Sequence, residues 1–288
     1  MRKCMLFVVG VLFLMSFVVL GEEKSNMDQM VIADSGNRKL ICLNADGTVA
    51  WEKKGIYCYD VHRLANGNIL YADSAKKKSF VREINVDGKV IFEYKTSGEV
   101  FSCQRLDDGK TLVGECTNGK IVEVDKDGKV SKTIKLTFKQ GGHGCVFWVR
   151  KTLEGTYVAA HRSDKVVREY DEKGKVLREI KCPWKVFGVM PLGKGGLMIS
   201  GEHGLMEVDK EGKVVWKLVP DDIKEINVKL LAGIYLKSNG NIIQTNWLGH
   251  KQEGKGAPLF EVTKDKEVVW KLPASVKTRW IGAIALSK

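Results

Sequence analysis

One pattern recurs along this chain and restricts its fold more than any other feature: an apolar-Glu-apolar segment, a polar turn, then a Val-x-aromatic segment. Six stretches align without gaps, LICLNADGTVAW (40–51), VREINVDGKVIF (81–92), IVEVDKDGKVSK (121–132), VREYDEKGKVLR (167–178), LMEVDKEGKVVW (205–216) and LFEVTKDKEVVW (259–270). Alternation of period two marks strands, and Asp-Gly or Lys-Gly between them supplies the positive backbone angles of a tight hairpin. A second hairpin precedes five of these pairs, with turns LANGNIL (64–70), LDDGKTL (106–112), LEGTYV (153–158), LGKGGLM (192–198) and LKSNGNII (236–243). Each module is therefore a four-stranded antiparallel meander, a-b-c-d, repeating about every forty residues.

The ends of the chain are out of phase with the repeat. Complete modules begin near Tyr59, Val100, Phe147, Lys185 and Leu230; before them stand only strands b, c and d within 29–54, and after them only one strand a, 280–286. Joining the two fragments makes a sixth sheet and removes the exposed edges of an open array. The expected fold is all-β: a six-bladed β-propeller of four-stranded antiparallel blades, closed by strand 280–286 pairing with the N-terminal strands. Gly188, Ala232, Gly233, Gly282 and Ala283 supply small side chains near the axis. Trp51, Phe92, Trp216 and Trp270 share one place on strand d, suited to wedging between blades, while Lys132 and Arg178 break that pattern and call for another seal.

At the N-terminus, Arg2 and Lys3 precede an apolar run from Met5 to Leu20, then Gly21. This reads as a signal peptide over 1–21, leaving 22–288 as the propeller, exported to a periplasmic or extracellular space; a membrane association follows only if the segment is uncleaved. Its removal lowers the formal charge from +12 to +10. The lysines are spread among turns such as DGK at 87–89 and 127–129, which suits a solvated surface and not a nucleic-acid track, so a monomer without nucleic acid is expected. Six cysteines remain, Cys42, Cys58, Cys103, Cys116, Cys145 and Cys182, without a CxxC pair or zinc spacing. Symmetric pairing from Leu106 and Thr111 sets Cys103 opposite Gly114, so the connectivity stays open.

In such a ring the b-to-c and d-to-a loops share one face. The ends of strand b carry Asp34, Asp73, Glu115, His161, Glu202 with His203, and Asn246 with Trp247; the d-to-a loops add Tyr57, Tyr59, Asp60, Glu99, His143, Trp184, Arg279 and Trp280. A mouth combining acids, imidazoles and aromatics suits a small molecule, a glycan or a protein. The expected ligand-binding set is Asp34, Asp73, Glu115, His161, His203, Asn246, Trp247, His250 and Trp280. Trp247 and His250 lie in the long insertion NWLGHKQEGKGAPLFEV, and His143 lies between glycines in QGGHGC. Glu83, Glu123, Glu169, Glu207 and Glu261 recur mid-strand c and are expected to be architectural.

The DGKVxW and NGNIL motifs resemble those of exported bacterial proteins with pyrroloquinoline-quinone-like propeller repeats, over 29–286. Quinone-dependent dehydrogenases of that class have eight blades and roughly twice this length, so the quinone itself is not expected and no cofactor is firmly implied. HRLANGNIL (62–70) is similar to a stretch of arylsulfate sulfotransferases, which implies a histidine nucleophile, His62 or His143. Lactonases of the gluconolactonase type imply instead a divalent cation, held here by Asp34, Glu115 and Asn246. Two functions remain open: a non-catalytic binding module, or a hydrolase, lyase or transferase using His62, His143 or His161.

Overall fold

A computed structural model describes residues 29–74, 78–96, 98–139 and 144–286. The expected signal segment 1–21 and His143 lie outside the described residues. Six four-stranded antiparallel sheets form the ring. Blade I combines Ile281–Leu286 as strand a with Met30–Asp34, Lys39–Leu43 and Val49–Lys54 as b, c and d. The inner strands of blades II to VI are Cys58–Arg63, Val100–Arg105, Val146–Lys151, Val186–Pro191 and Leu230–Leu236. Among the described residues there is no α-helix, only four short 3-10 turns.

Blade I closes as the out-of-phase ends require. Met30 pairs with Leu286, Ile32 with Ile284 and Ala33 with Ala283, so the last strand occupies the inner edge that the N-terminal strands lack. Strands a, b and c alternate apolar residues into the interfaces between blades, whereas strands d turn Val49, Ile91, Val130, Leu177, Val215 and Val269 to solvent. The inner strands approach closely where side chains are small. A Cβ on Gly188 would lie 2.4 Å from Ala232 O and Ser200 Oγ, and one on Gly233 2.8 Å from Ala283 Cα.

The seals between blades follow the strand-d pattern. Phe92 is buried against blade III, and Trp216 donates from Nε1 to Lys264 O of blade VI at 2.8 Å, while Trp51 remains more exposed. Where the aromatic is missing, charge takes over: Lys132 pairs with Glu172 at 3.0 Å, and the Arg178 guanidinium donates to Lys210 O at 2.6 Å and Gly195 O at 3.1 Å. The recurrent strand-c glutamates are all ion-paired: Glu83 to Arg105, Glu123 to Lys151 and Glu207 to Lys264 of the next blade, Glu169 to Arg178 and Glu261 to Lys237 within their own blades.

One backbone feature recurs in all six blades and is absent from the sequence pattern. Strand a carries a one-residue bulge near its start, between Cys58 and Asp60, Val100 and Ser102, Val146 and Val149, Val186 and Gly188, Leu231 and Ile234, and Ile281 and Ala283. A bulge inserts one residue and re-aims the side chains beside it. In the hairpin of blade III, Cys103 pairs with Val113 and Gly114 with Ser102, one place away from symmetric pairing, because the tight turn holds Arg105 opposite Thr111.

Candidate functional site

At the b-to-c face the predicted residues stand at the ends of strands b, and most are engaged by the chain itself. Asp34 is fully buried; its carboxylate accepts from Asn37 N and Nδ2 and from the backbone N–H groups of Arg279 and Trp280, at 2.8–3.3 Å. Asp73 accepts from Tyr57 N at 2.9 Å, and burial pushes its carboxyl up. Asn246 Oδ1 accepts from Lys229 N at 3.0 Å, while Nδ2 donates to Asn227 O and Ala257 O. These three side chains do one job, holding a neighbouring backbone segment at the start of a strand a. Glu115 accepts from Tyr94 Oη at 2.5 Å and Asn118 Nδ2 at 2.6 Å, with Lys120 Nζ 3.3 Å away. The hydrogen-bond partners of Asp34, Glu115 and Asn246 are disjoint, so the three expected cation ligands form three separate knots.

His161 is fully buried, with Nε2 2.8 Å from Tyr170 Oη. Burial, and then the nearby Arg168 guanidinium, push its imidazole down to about 3. His203 is exposed in a left-handed turn with φ 69°. Trp247, His250 and Trp280 do come together: Trp247 stacks on Trp280 at 5.0 Å, and His250 meets the Trp247 edge at 5.1 Å.

That stack continues into a buried aromatic plug. Tyr59 lies 5.1 Å from Trp280 and 4.5 Å from Phe101; Phe101 stacks on Phe147 at 4.7 Å, and Phe147 meets Phe187 at 4.7 Å. Tyr59, Phe101, Phe147 and Phe187 stand at the bulges of strands a in blades II to V. The bulges therefore place aromatics at the b-to-c end of the channel, and all four are buried. Beneath them Trp148 reaches from blade IV to blade II, its Nε1 donating to Tyr59 O at 3.1 Å.

The cavity lies on the other side of this floor. A space of about 600 Å³ is lined by the later residues of the inner strands and by a-to-b turn residues such as Leu64, Leu106, Leu153 and Leu192. It thus faces the a-to-b end, opposite the face that the b-strand ends suggest. Asp60, assigned from sequence to the d-to-a loops, sits inside strand a of blade II and lines this cavity. One residue per blade occupies the equivalent place on its wall: His62, Gln104, Arg150, Met190, Tyr235 and Ala285, each opposite a strand-b residue. The first three, from consecutive blades, are polar; the other three are Met, Tyr and Ala.

The polar half is organised by Asp60. Arg150 Nη1 lies 2.8 Å from Oδ2 and Nη2 3.0 Å from Oδ1; Cys103 N donates to Oδ2 at 2.9 Å, Ser102 Oγ stands 3.3 Å from Oδ2, and His62 Nε2 lies 3.3 Å from Oδ1. Burial pushes the Asp60 carboxyl up, but the Arg150 guanidinium and His62 outweigh it and hold the group below its ordinary value. The Arg150 guanidinium also lies over the Trp148 ring, 4.1 Å from its centroid. At the rim, Arg63, Arg105 and Lys151 are held by Gln29, Glu83 and Glu123.

Asp60, His62 and Cys103 bring three ligand atoms within 4.8 Å of one another. The guanidinium of Arg150 already covers both oxygens of Asp60, so a dication there would face a fixed positive charge at contact distance. The cluster suits a histidine facing a carboxylate better than a metal: Nε2 of His62, which lines the cavity and is half-buried, lies 3.3 Å from Asp60 Oδ1 as an ion-pair contact, without aligned hydrogen-bond geometry. His62 was legible from sequence. Asp60, Arg150, Gln104 and Trp148 were not grouped with it, since their only shared signal is the place they occupy within successive strands a, which counting through the bulge obscures.

No protein-family model matches the chain, and no curated protein matches it. Among solved structures, a protein of unknown function from Bacteroides caccae is 24% identical, covering 91% of this chain and 100% of its own, with a TM-score of 0.81. A catalytically inactive virginiamycin B lyase from Staphylococcus aureus with quinupristin is 14% identical over 88% of this chain and 87% of its own, with a TM-score of 0.61. A streptogramin B lyase is 13% identical over 88% and 86%, also at 0.61. At these identities the likeness establishes the propeller fold.

Proposed function

We propose that this chain is an exported propeller that binds a small amphipathic molecule in the central cavity of its a-to-b face. One observation carries the reading: six structurally equivalent inner-strand positions hold six different side chains, split into a polar arc (His62, Gln104, Arg150) and an apolar arc (Met190, Tyr235, Ala285). Elsewhere the repeat is preserved, as in the c-to-d turns and the strand-c glutamates. A cavity of about 600 Å³ is the size of known small-molecule sites. The apolar body of the ligand would lie against Met190, Tyr235 and Ile284, and a hydrogen-bonding head against Gln104, His62 and the Trp148–Arg150 floor. Export rests on the basic, apolar and small-residue succession of 1–21.

The test uses two probes with one apolar body and different heads, 4-nitrophenyl glucoside and 4-nitrophenyl sulfate, titrated by calorimetry. Binding of either that disappears in Met190→Trp, which fills the apolar arc, supports the site. Binding unaffected by that substitution, or no binding of either probe, overturns it.

A catalytic reading is favoured by one distance, His62 Nε2 at 3.3 Å from the Asp60 carboxylate. Beside that carboxylate, His62 would offer its other ring nitrogen as base or nucleophile toward a bound substrate. Release of 4-nitrophenolate from the sulfate probe, lost in His62→Asn while binding persists, would establish it; binding without turnover leaves the chain a binding module.

A further inference from the structure

We propose that Cys116 and Cys145 join as a disulfide when the chain folds in contact with a disulfide oxidant, stapling blade III to blade IV. Their sulfurs lie 3.8 Å apart, both side chains are buried, and no other pair of described cysteine sulfurs stands at hydrogen-bond distance. Cys116 directly follows strand b of blade III (Thr111–Glu115), and Cys145 directly precedes strand a of blade IV. Each thiol already touches the other segment's backbone: Cys145 Sγ lies 3.5 Å from Cys116 O, and Val146 N donates to Cys116 Sγ at 3.4 Å. The other thiols point to backbone carbonyls, Cys42 to Leu43, Cys58 and Cys103 to Asp60, and Cys182 to Ile180.

The chemistry is thiol–disulfide exchange. One cysteine thiolate attacks a sulfur of the oxidant's disulfide and releases one oxidant thiolate. The second cysteine, deprotonated, attacks the protein sulfur of that mixed disulfide and expels the other. Two protons and two electrons leave the cysteines, and the oxidant's disulfide becomes two thiols. Within the finished fold this is slow: the contact with Cys145 and burial push the Cys116 thiol well up, and neither sulfur is open to solvent. The bond therefore forms while the seam between blades III and IV is still open. It then closes the chain between residues 29 apart in sequence.

In the cell the bridge rests on the export reading above, because a reducing compartment would keep both thiols. The full chain is therefore examined twice, as recovered from the exported fraction of its host and after reduction, unfolding and refolding in a glutathione redox buffer. Free thiols are alkylated, and non-reduced peptides are mapped by mass spectrometry. The expected result after refolding is one cross-linked peptide joining Cys116 to Cys145, with Cys42, Cys58, Cys103 and Cys182 alkylated. Reduction should then lower the unfolding midpoint by roughly 5–10 °C. In Cys116→Ser/Cys145→Ser that shift should vanish while the fold is retained. Full alkylation of all cysteines after oxidative refolding, or a bridge between other partners, overturns the proposal. A bridge formed on refolding but missing from the cell-derived protein leaves the pairing standing and counts against export.

Discussion

Asp60 of blade II and Arg150 of blade IV meet as a two-pronged ion pair, at 2.8 and 3.0 Å, across the inner strand of the blade between them. Blade III completes the knot with Ser102 and Cys103, so one buried carboxylate ties three consecutive blades beneath the cavity. Both side chains are buried. A pair of this kind costs much to desolvate, and its removal from one side only leaves a charge with no counter-ion.

Asp60→Asn is accordingly expected to lower the unfolding free energy in urea by about 3–5 kcal/mol, and pairing it with Arg150→Met should recover much of that loss. The carboxyl is held below its ordinary value, so its stabilisation is fully present above about pH 3.9 and is lost as the pH falls through the lower folded-state value. The double variant should lack this lowest part of the acid limb. A single variant as stable as the parent would count against the pair.

His161 governs a different window. Its imidazole is held at about 3 in the folded chain, against about 6.5 when unfolded, so the unfolded state binds the extra proton between those values. Stability should be full above pH 6.5 and decline below it, by up to about 1.4 kcal/mol per pH unit. Urea titrations between pH 4 and 6.5 isolate this group from Asp60. His161→Gln should flatten the decline; an unchanged slope would mean that the histidine is protonated in the fold.

Closure of the ring depends on Asp34, which receives the Arg279 and Trp280 backbone across 245 residues of sequence. Asp34→Ala leaves those donors without their acceptor and should cost about 1–3 kcal/mol. Deleting 279–288 exposes the edge of Met30–Asp34 and should produce oligomers by size-exclusion chromatography. A monomeric, cooperatively unfolding deletion would show that the last strand is dispensable.

The approach of neighbouring inner strands can be read by a pair of glycines. Gly188→Ala would press a Cβ to 2.4 Å from Ala232 O and should destabilise by about 1–3 kcal/mol. Gly193→Ala, where a Cβ meets nothing within 4 Å, should change stability by less than about 0.5 kcal/mol. Equal urea midpoints for the two would refute the tight inner ring.

Much of this architecture was legible in the chain. Alternation, the turn glycines and the phase of the two ends are local or countable, and they specify six blades and the closing strand because each hairpin encodes its own pairing. The ends of strands b were legible too, and there Asp34, Asp73 and Asn246, which read as ligands in the sequence, hold backbone N–H groups in the fold. A carboxylate awaiting a ligand and one capping a turn have the same letter.

The sequence alone determined the ring, its blade count and the place where it is joined, since period-two alternation and turn chemistry act over a few residues. Only the tertiary structure decided which end of the channel holds the cavity. The bulges set Tyr59, Phe101, Phe147 and Phe187 at one end. Behind that plug, residues 90 positions apart meet at Asp60 and Arg150. A contact of that range leaves no trace in the local pattern because it arises only when separate blades are packed around a common axis, and a one-residue bulge re-aims a strand-a residue without changing its letter.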